Sequence, residues 1–337
     1  MISPLHDREL KEKLSGKHVM ITGGLGMIGS TIANKLIHYD AKITIVDACI
    51  EPFGANMFNL ASIRNQVEVS ITDIRDKEAM KFLVRDKDII FNLAGQVSHN
   101  HSIDNPFLDA DINYIGHLNV MENVKKFNPK ARILFSGSRL QFGPIEKNPV
   151  DENHPLRPKT PYAFNKSVAE NMYRFYYEVY GISSVIFRIA NPYGTRCQMK
   201  HSQYSIVNFF IRQAMESKTL TIFGDGEQLR DYIYVEDLAD AFLLASINEE
   251  ANGQIFNIGS GIGTKFKDMV NTVVDVVGKG EVVYVPWPDE YLNVETGDYL
   301  TDITKISKIL NWHPSTNLRE GIKKTYQFYK YHYDHYF

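Results

Sequence analysis

The sequence predicts an α/β protein built on a doubly wound parallel sheet, with a smaller substrate-binding lobe toward the C-terminus. Three observations carry that expectation. Short β-rich runs alternate with segments of helical periodicity through the first half of the 337 residues. Those runs are almost continuously apolar, as strands covered on both faces must be. A glycine cluster also follows the first run directly and opens a helix.

Taken in order, HVMITG (18–23), KITIVD (42–47), QVEVS (66–70), DIIFNLA (88–94), RILFSG (132–137) and SSVIFRIA (183–190) read as strands. Helical periodicity occupies segments near 26–38, 76–84, 105–127 and 162–180. After about residue 190 the pattern loosens into longer loops. VEDLADAFLLAS (235–246) is a helix, and QIFNIGS (254–260) is a strand returning to the first sheet. The last 70 residues add a helix (267–278), a strand (EVVYVP) and two terminal helices. The expected division is one unit of 1–187 plus about 229–262, and a second of 188–228 plus 263–337. The tail YKYHYDHYF reads as a helix end packing its aromatics on the body, not as a histidine metal site.

Composition narrows the function. Hydrophobic residues are 44% and charged residues 23%, with a net charge of −3. That argues against a nucleic-acid or membrane-surface binder. Cys49 and Cys197 stand far apart, outside any CxxC pattern, which suits a reducing cytosol and excludes a cysteine zinc site. The N-terminus is polar and no run of about 18 apolar residues occurs, so a cytoplasmic protein with no membrane span is expected.

HVMITGGLGMIGS places Gly23, Gly26 and Gly29 between a strand and a helix. Glycine there makes a tight turn, lets backbone amides approach a pyrophosphate, and lets helix pack on strand. KITIVD ends on Asp47, placed for a ribose diol. Its carboxylate would repel a 2′-phosphate and Ala48 offers no compensating cation, so NAD is favoured over NADP. The blander alternative for Asp47 is a cap or a loop charge. Farther on, TPYAFNKSVAE carries Tyr162 and Lys166 at i, i+4, on one helical face. A phenol of pKa about 10 needs a neighbouring cation to act as a base near neutrality. An ammonium and a positively charged nicotinamide ring would both lower it.

The GxxGxxG spacing, Asp73-Ile74, NLAG (92–95), and the Tyr/Lys pair with Ser138 upstream resemble the extended short-chain dehydrogenase/reductase family of nucleotide-sugar enzymes. The resemblance covers nearly the whole chain and implies a Rossmann-type sheet, a homodimer paired through the helices near 105–127 and 162–180, and these site residues. Met27 and Ile28 continue the glycine turn at the cofactor, and Asp73 and Ile74 flank its adenine. Leu93, Ala94 and Gly95 line it, and Asn113 is a supporting helix asparagine. Ser138 hydrogen-bonds the reacting sugar oxygen, Tyr162 takes its proton, and Lys166 holds a ribose hydroxyl. On the substrate, Gln96 and Arg139 face the sugar and Asn191 contacts the diphosphate. Val207 and Phe223 surround the base; Gln228 and Arg230 reach ribose and phosphates, unless Arg230 pairs with Asp231 or Glu236 instead.

Two departures bear on the reaction. Many relatives carry Arg-Pro-Gly-Asp, with the Arg on a phosphate, where this chain has Glu295-Thr296-Gly297-Asp298. The 4,6-dehydratases place Asp-Glu directly after the hydroxyl residue, and UDP-glucuronate decarboxylases a Glu two positions after it. Here those positions are Arg139 and Leu140, neither a carboxyl acid or base. The resemblance therefore implies C4 epimerisation of a nucleotide-diphosphate sugar. A 2-epimerase is the nearest rival, since GQVSHNHSIDNPFLDADIN resembles CDP-paratose 2-epimerases; a 4-dehydrogenase and a non-catalytic NAD(H)-binding subunit are further alternatives. His99 and His101 are expected in a loop facing the sugar, as polar loop residues or a metal pair. Arg139 either binds an acidic sugar or another substrate group, or braces a loop carboxylate.

Overall fold

The computed structural model describes residues 2–51, 53–200, 204–292 and 294–337 of the chain. Among the described residues twelve strands run β1 (His18–Thr22), β2 (Lys42–Asp47), β3 (Val67–Ile71), β4 (Ile89–Asn92), β5 (Arg132–Ser138), β6 (Ser184–Ile189), β7 (Asn191–Tyr193), β8 (Thr219–Phe223), β9 (Leu229–Tyr234), β10 (Ile255–Ile258), β11 (Gly263–Lys265) and β12 (Glu281–Val285). Seven of them form one sheet in the order β10-β6-β5-β4-β1-β2-β3, every pairing parallel. The order reverses at β1, which lies between β2 and β4. That reversal opens a crevice at the carboxyl ends of the strands.

Alternation along each strand explains the continuous apolar runs. Val19 and Ile21 enter one core with Ile32, Leu36, Leu238 and Phe242, whereas Met20 between them enters the opposite core. Ile89 and Phe91 of β4 face the first core, and Ile90 the second. The helices divide accordingly. On the first face lie α1 (Pro4–Leu14), α2 (Met27–Leu36) and α9 (Val235–Ile247); on the second, α3 (Lys77–Leu83), α6 (His117–Phe127) and α7 (Pro161–Tyr180). The polar face of α1 hid it from hydropathy reading, but Leu10 and Leu14 are fully buried.

Two other expectations change. The segment 105–127 is not one helix: α5 (Pro106–Ala110) passes into a π-helical stretch, Asp111–Gly116, before α6. A π stretch rotates the side chains that follow it, and such insertions often sit at functional sites. His99 and His101 lie on a short helix, α4 (His99–Asp104), capped by the Ser98 side chain, which accepts from the His101 amide.

A third core gathers the C-terminal segments. Phe210 and Ile211 of α8 (Ile206–Met215) meet Leu220 and Ile222 of β8, Val270 and Val273 of α10 (Phe266–Val277), and Tyr329 of the helix Leu318–His332. The aromatic tail packs as expected: Tyr336 is buried and bonds Asn59, while His335 stacks on Phe58. Among the described residues no histidine, cysteine or carboxylate cluster could hold a metal, and no helix is long and apolar enough to cross a membrane.

Candidate active site

One cavity of about 740 Å³ opens over the carboxyl ends of β1, β2, β4, β5 and β6 and continues between the sheet and the C-terminal elements. Its size lies in the range of small-molecule sites.

The glycine turn forms one end. Gly23 takes φ +65°, and a side chain on it would strike the backbone of Ala94 at 2.9 Å. Gly26 caps α2, and no side chain accepts from the amides of its first turn. That turn carries no acidic residue either, so its donors and dipole are open to an anion. Gly29 packs the helix down, since its Cβ would lie 2.5 Å from the Gly23 carbonyl. Met27, Ile28, Asp73, Ile74, Leu93, Ala94 and Gly95 line the same half. Asp47 ends β2 and accepts from the amides of Leu25 and Cys49, each at 3.0 Å. Burial raises its pKa despite those two bonds.

A buried polar ladder fixes the NLAG turn. Asn92 accepts from Thr22 Oγ1 at 2.6 Å and donates to Tyr173 OH at 2.6 Å. His117 bridges Tyr173 OH and the Ala94 carbonyl, at 3.0 Å each. Burial holds its pKa well below the usual histidine value, so it is neutral.

The Ser–Tyr–Lys set meets at the centre of the cavity. Ser138 ends β5, and its hydroxyl lies within hydrogen-bonding reach of the Tyr162 phenol. Burial pushes the Tyr162 pKa up to about 12; the serine bond acts the other way and loses. Lys166 does not counter this, contrary to the sequence expectation. Its Nζ donates to the Ser136 carbonyl at 3.0 Å and lies 5.0 Å from the Phe135 ring centroid, with its pKa lowered by burial to about 8. In this state the phenol is a proton donor rather than a base.

The ground beside Lys166 fits a bound cofactor. Asn113 donates to the Gln96 carbonyl and to Asp109, both at 2.9 Å, but its Oδ1 is buried without a partner. A Cβ on Gly95 would meet that Oδ1 at 2.8 Å and Lys166 Nζ at 3.3 Å. The Asn113 acceptor, the Lys166 ammonium and the bare Gly95 backbone thus meet at one edge of the cavity, as a ribose diol or carboxamide requires, although Asn113 itself is fully buried and does not line it.

Gln96 is placed otherwise than expected. Its side chain is fully buried outside the cavity lining, donating to the Ser98 carbonyl and to Asp109 at 3.0 Å. Sequence reading also missed Gln141, Glu170 and Arg188. Ser138 N donates to Gln141 Oε1 at 2.7 Å, Gln141 donates to Glu170 at 2.8 Å, and Arg188 grips Glu170 through Nη2 at 2.6 Å and Nε at 2.9 Å. This ties the serine turn to the helix bearing Tyr162. Spacing alone carries no signal for it.

The other half of the cavity is lined by Asn191, Val207, Phe223, Gln228 and Arg230. Arg230 pairs with Glu295 at 2.6 Å rather than with Asp231 or Glu236. Asp231 is spent on the amides of Ser260, Gly261 and Thr301. Arg139 donates through Nε to Asn191 Oδ1 at 3.1 Å and through Nη1 to Thr296 Oγ1 at 3.3 Å, with Tyr299 stacked at 5.2 Å. Among the described residues it forms no ion pair or hydrogen bond with a carboxylate, although the Glu295 charge reaches it. His99 lines the cavity, its pKa lowered to about 4 by burial and then by Arg139; His101 meets Phe53 edge-on at 5.7 Å.

The family model for GDP-mannose 4,6 dehydratase matches residues 20–325. The chain belongs to that family. A Methanocaldococcus jannaschii protein bearing the provisional name UDP-glucose 4-epimerase is 33% identical over 314 residues, covering 93% of this chain and 98% of its own. The UDP-glucose 4-epimerase of Thermotoga maritima, solved with UDP-glucose, superposes with a TM-score of 0.85 at 29% identity over 94% of this chain and 99% of its own. The UDP-glucose 4-epimerase of Thermus thermophilus, solved with NAD, gives 0.82 at 26% identity over 93% and 99%. Relatives named as a CDP-paratose 2-epimerase and as decarboxylases match nearly all of this chain. The protein is thus an enzyme of the nucleotide-sugar epimerase/dehydratase family with a Rossmann-type α/β fold, and its reaction has to be read from its residues.

Proposed function

We propose that the chain is an NAD-dependent epimerase of nucleotide-diphosphate sugars, acting at C4. The observation that carries this is the Ser138–Tyr162–Lys166 set with Arg139 and Leu140 beside it, and therefore no carboxyl acid or base at either position. Water elimination across C5–C6 requires such a group; C4 inversion does not.

The glycine turn, Asp47, Gly95, Asn113 and Lys166 would hold NAD, which would supply the reversible acceptor for the C4 hydride. Ser138 holds the C4 oxygen against the Tyr162 phenol. With the cofactor's positive ring beside it, the phenol can ionise and take the hydroxyl proton, leaving a 4-keto sugar. Lys166 orients a ribose hydroxyl and adds positive charge. After the keto sugar turns over, Tyr162 returns the proton to the C4 oxygen as hydride reaches the opposite face. Atoms and electrons balance with no net redox change.

We place the sugar-nucleotide lobe at 188–228 plus 263–337 and the cofactor unit in the remainder, and read the active species as a homodimer. Incubation with UDP-, GDP-, CDP- and dTDP-sugars, with products read by NMR, tests the activity. C4-epimeric pairs without accumulating NADH are expected; a 6-deoxy-4-keto or decarboxylated product would contradict it. An exclusive C2 inversion would favour the 2-epimerase reading.

A further inference from the structure

Arg139 and Tyr232 remain unused by the reaction as described, and both line the cavity. Arg139 follows Ser138 directly, on the short turn Arg139–Phe142. Its partners are neutral: Asn191, Thr296 and the Tyr299 ring. Among the described residues no carboxylate forms an ion pair with it. Glu295, the carboxylate whose charge reaches it, is held by Arg230 at 2.6 Å and by the amides of Thr296 and Gly297, at 3.0 Å each. A largely desolvated guanidinium without a counter-ion is costly, so a site that keeps one is completed by an anion.

Tyr232 adds an independent sign. It is 4% exposed, and its hydroxyl is buried with no hydrogen-bond partner. On β9 it stands in register with Asn191, the residue that accepts from Arg139. Arg230 and Arg139 both lie close enough to act on its hydroxyl electrostatically. A guanidinium with neutral partners and an orphaned phenol therefore share one wall, next to Ser138, the serine proposed to hold the reacting oxygen.

We propose that Arg139 and Tyr232 together bind an anionic group of the substrate. Two groups have this chemistry: a carboxylate on the sugar, and the phosphate joined to its C1. Both offer paired oxygens to a forked guanidinium and accept from a phenol. The contact to Thr296 puts Arg139 against the Glu295-Thr296 turn, so the guanidinium also restores positive charge where residue 295 is acidic. The inference rests on the nucleotide-sugar reading above.

The test measures Kd by calorimetry on the NAD-loaded protein for UDP, UDP-glucose and UDP-glucuronate, repeated with the other bases if UDP fails to bind. Arg139→Gln should weaken binding at least tenfold. A loss confined to the glucuronate identifies a sugar carboxylate; an equal loss across all three identifies the phosphate. Arg139→Lys should restore part of that loss, and Tyr232→Phe should weaken the same ligands severalfold. Unchanged Kd values in Arg139→Gln would overturn the proposal. So would a uniform loss that lysine does not relieve, since that marks a brace. If the wild type binds no nucleotide sugar, the reading beneath it fails, and this one with it.

Discussion

At the scale of single residues, the phenol proposed as the catalytic base, Tyr162, starts far from its ionised state. A Tyr162 pKa of about 12 is five units above neutral pH, about 7 kcal/mol against ionisation. Lys166, turned to the Ser136 carbonyl, does not offset it, so positive charge delivered with the cofactor must. Tyr162→Phe should lower kcat by at least about a thousandfold while NAD content is unchanged; near-normal turnover would refute the role. Gly95→Ala tests the cofactor edge. The new methyl would press on Asn113 Oδ1, which two hydrogen bonds from Nδ2 hold in place, and on Lys166 Nζ. Bound NAD should fall at least tenfold with the melting temperature little changed; full occupancy would contradict that placement. The glycines, Asp47, Ser138 and the Tyr/Lys pair were legible in the sequence because spacing and context suffice for them. Gln96 was not, because which way a buried amide turns depends on Asp109, thirteen residues away. Nor was Arg139, whose partners come from residues 191, 296 and 299.

At the scale of elements, the geometry of the site depends on how β5, β6 and α7 are tied. Glu170 and Arg188 are almost fully buried, and breaking a buried pair strands a charge. Glu170→Ala should cost about 3–5 kcal/mol of stability and lower kcat through loss of the Gln141 bond; a change below about 1 kcal/mol would show that the pair is not structural. On the outer face of α7, Phe164, Phe175 and Val179 are 59%, 48% and 58% exposed at spacings of eleven and four residues. One helical stripe carries all three. Light scattering should find a dimer, and Phe175→Glu should shift it toward monomer; a monomeric wild type would contradict the dimer. Strands and long helices were legible because period-2 and period-3.6 patterns are local. The break at 111–116 was not, since the sequence stays helical through it and the π stretch differs from an α-helix in backbone hydrogen bonding, which side-chain periodicity does not register.

At the scale of the whole molecule, two neutral histidines, His117 fully buried and His99 partly buried in the cavity wall, set an acid limit. His117 is held well below 6.5 and His99 at about 4, both chiefly by burial. The unfolded chain binds protons there first, so their contribution is complete above about pH 6.5 and is lost as pH falls below it. Each costs about 1.4 kcal/mol per pH unit in that window. The melting temperature should drop between pH 6.5 and 5, and His117→Gln should flatten the slope; parallel profiles would contradict the assignment. The doubly wound parallel sheet follows from strand–helix alternation, but the cavity joining sheet to C-terminal elements does not, because residues 191–232 and 287–296 reach it through long-range packing. The central claim is that C4 is oxidised and re-reduced within one site. The most direct measurement is turnover of a nucleotide sugar carrying deuterium at C4. The proposed C4 epimerisation gives an inverted C4 that keeps its deuterium; label found at C6, or lost from the sugar, would contradict it.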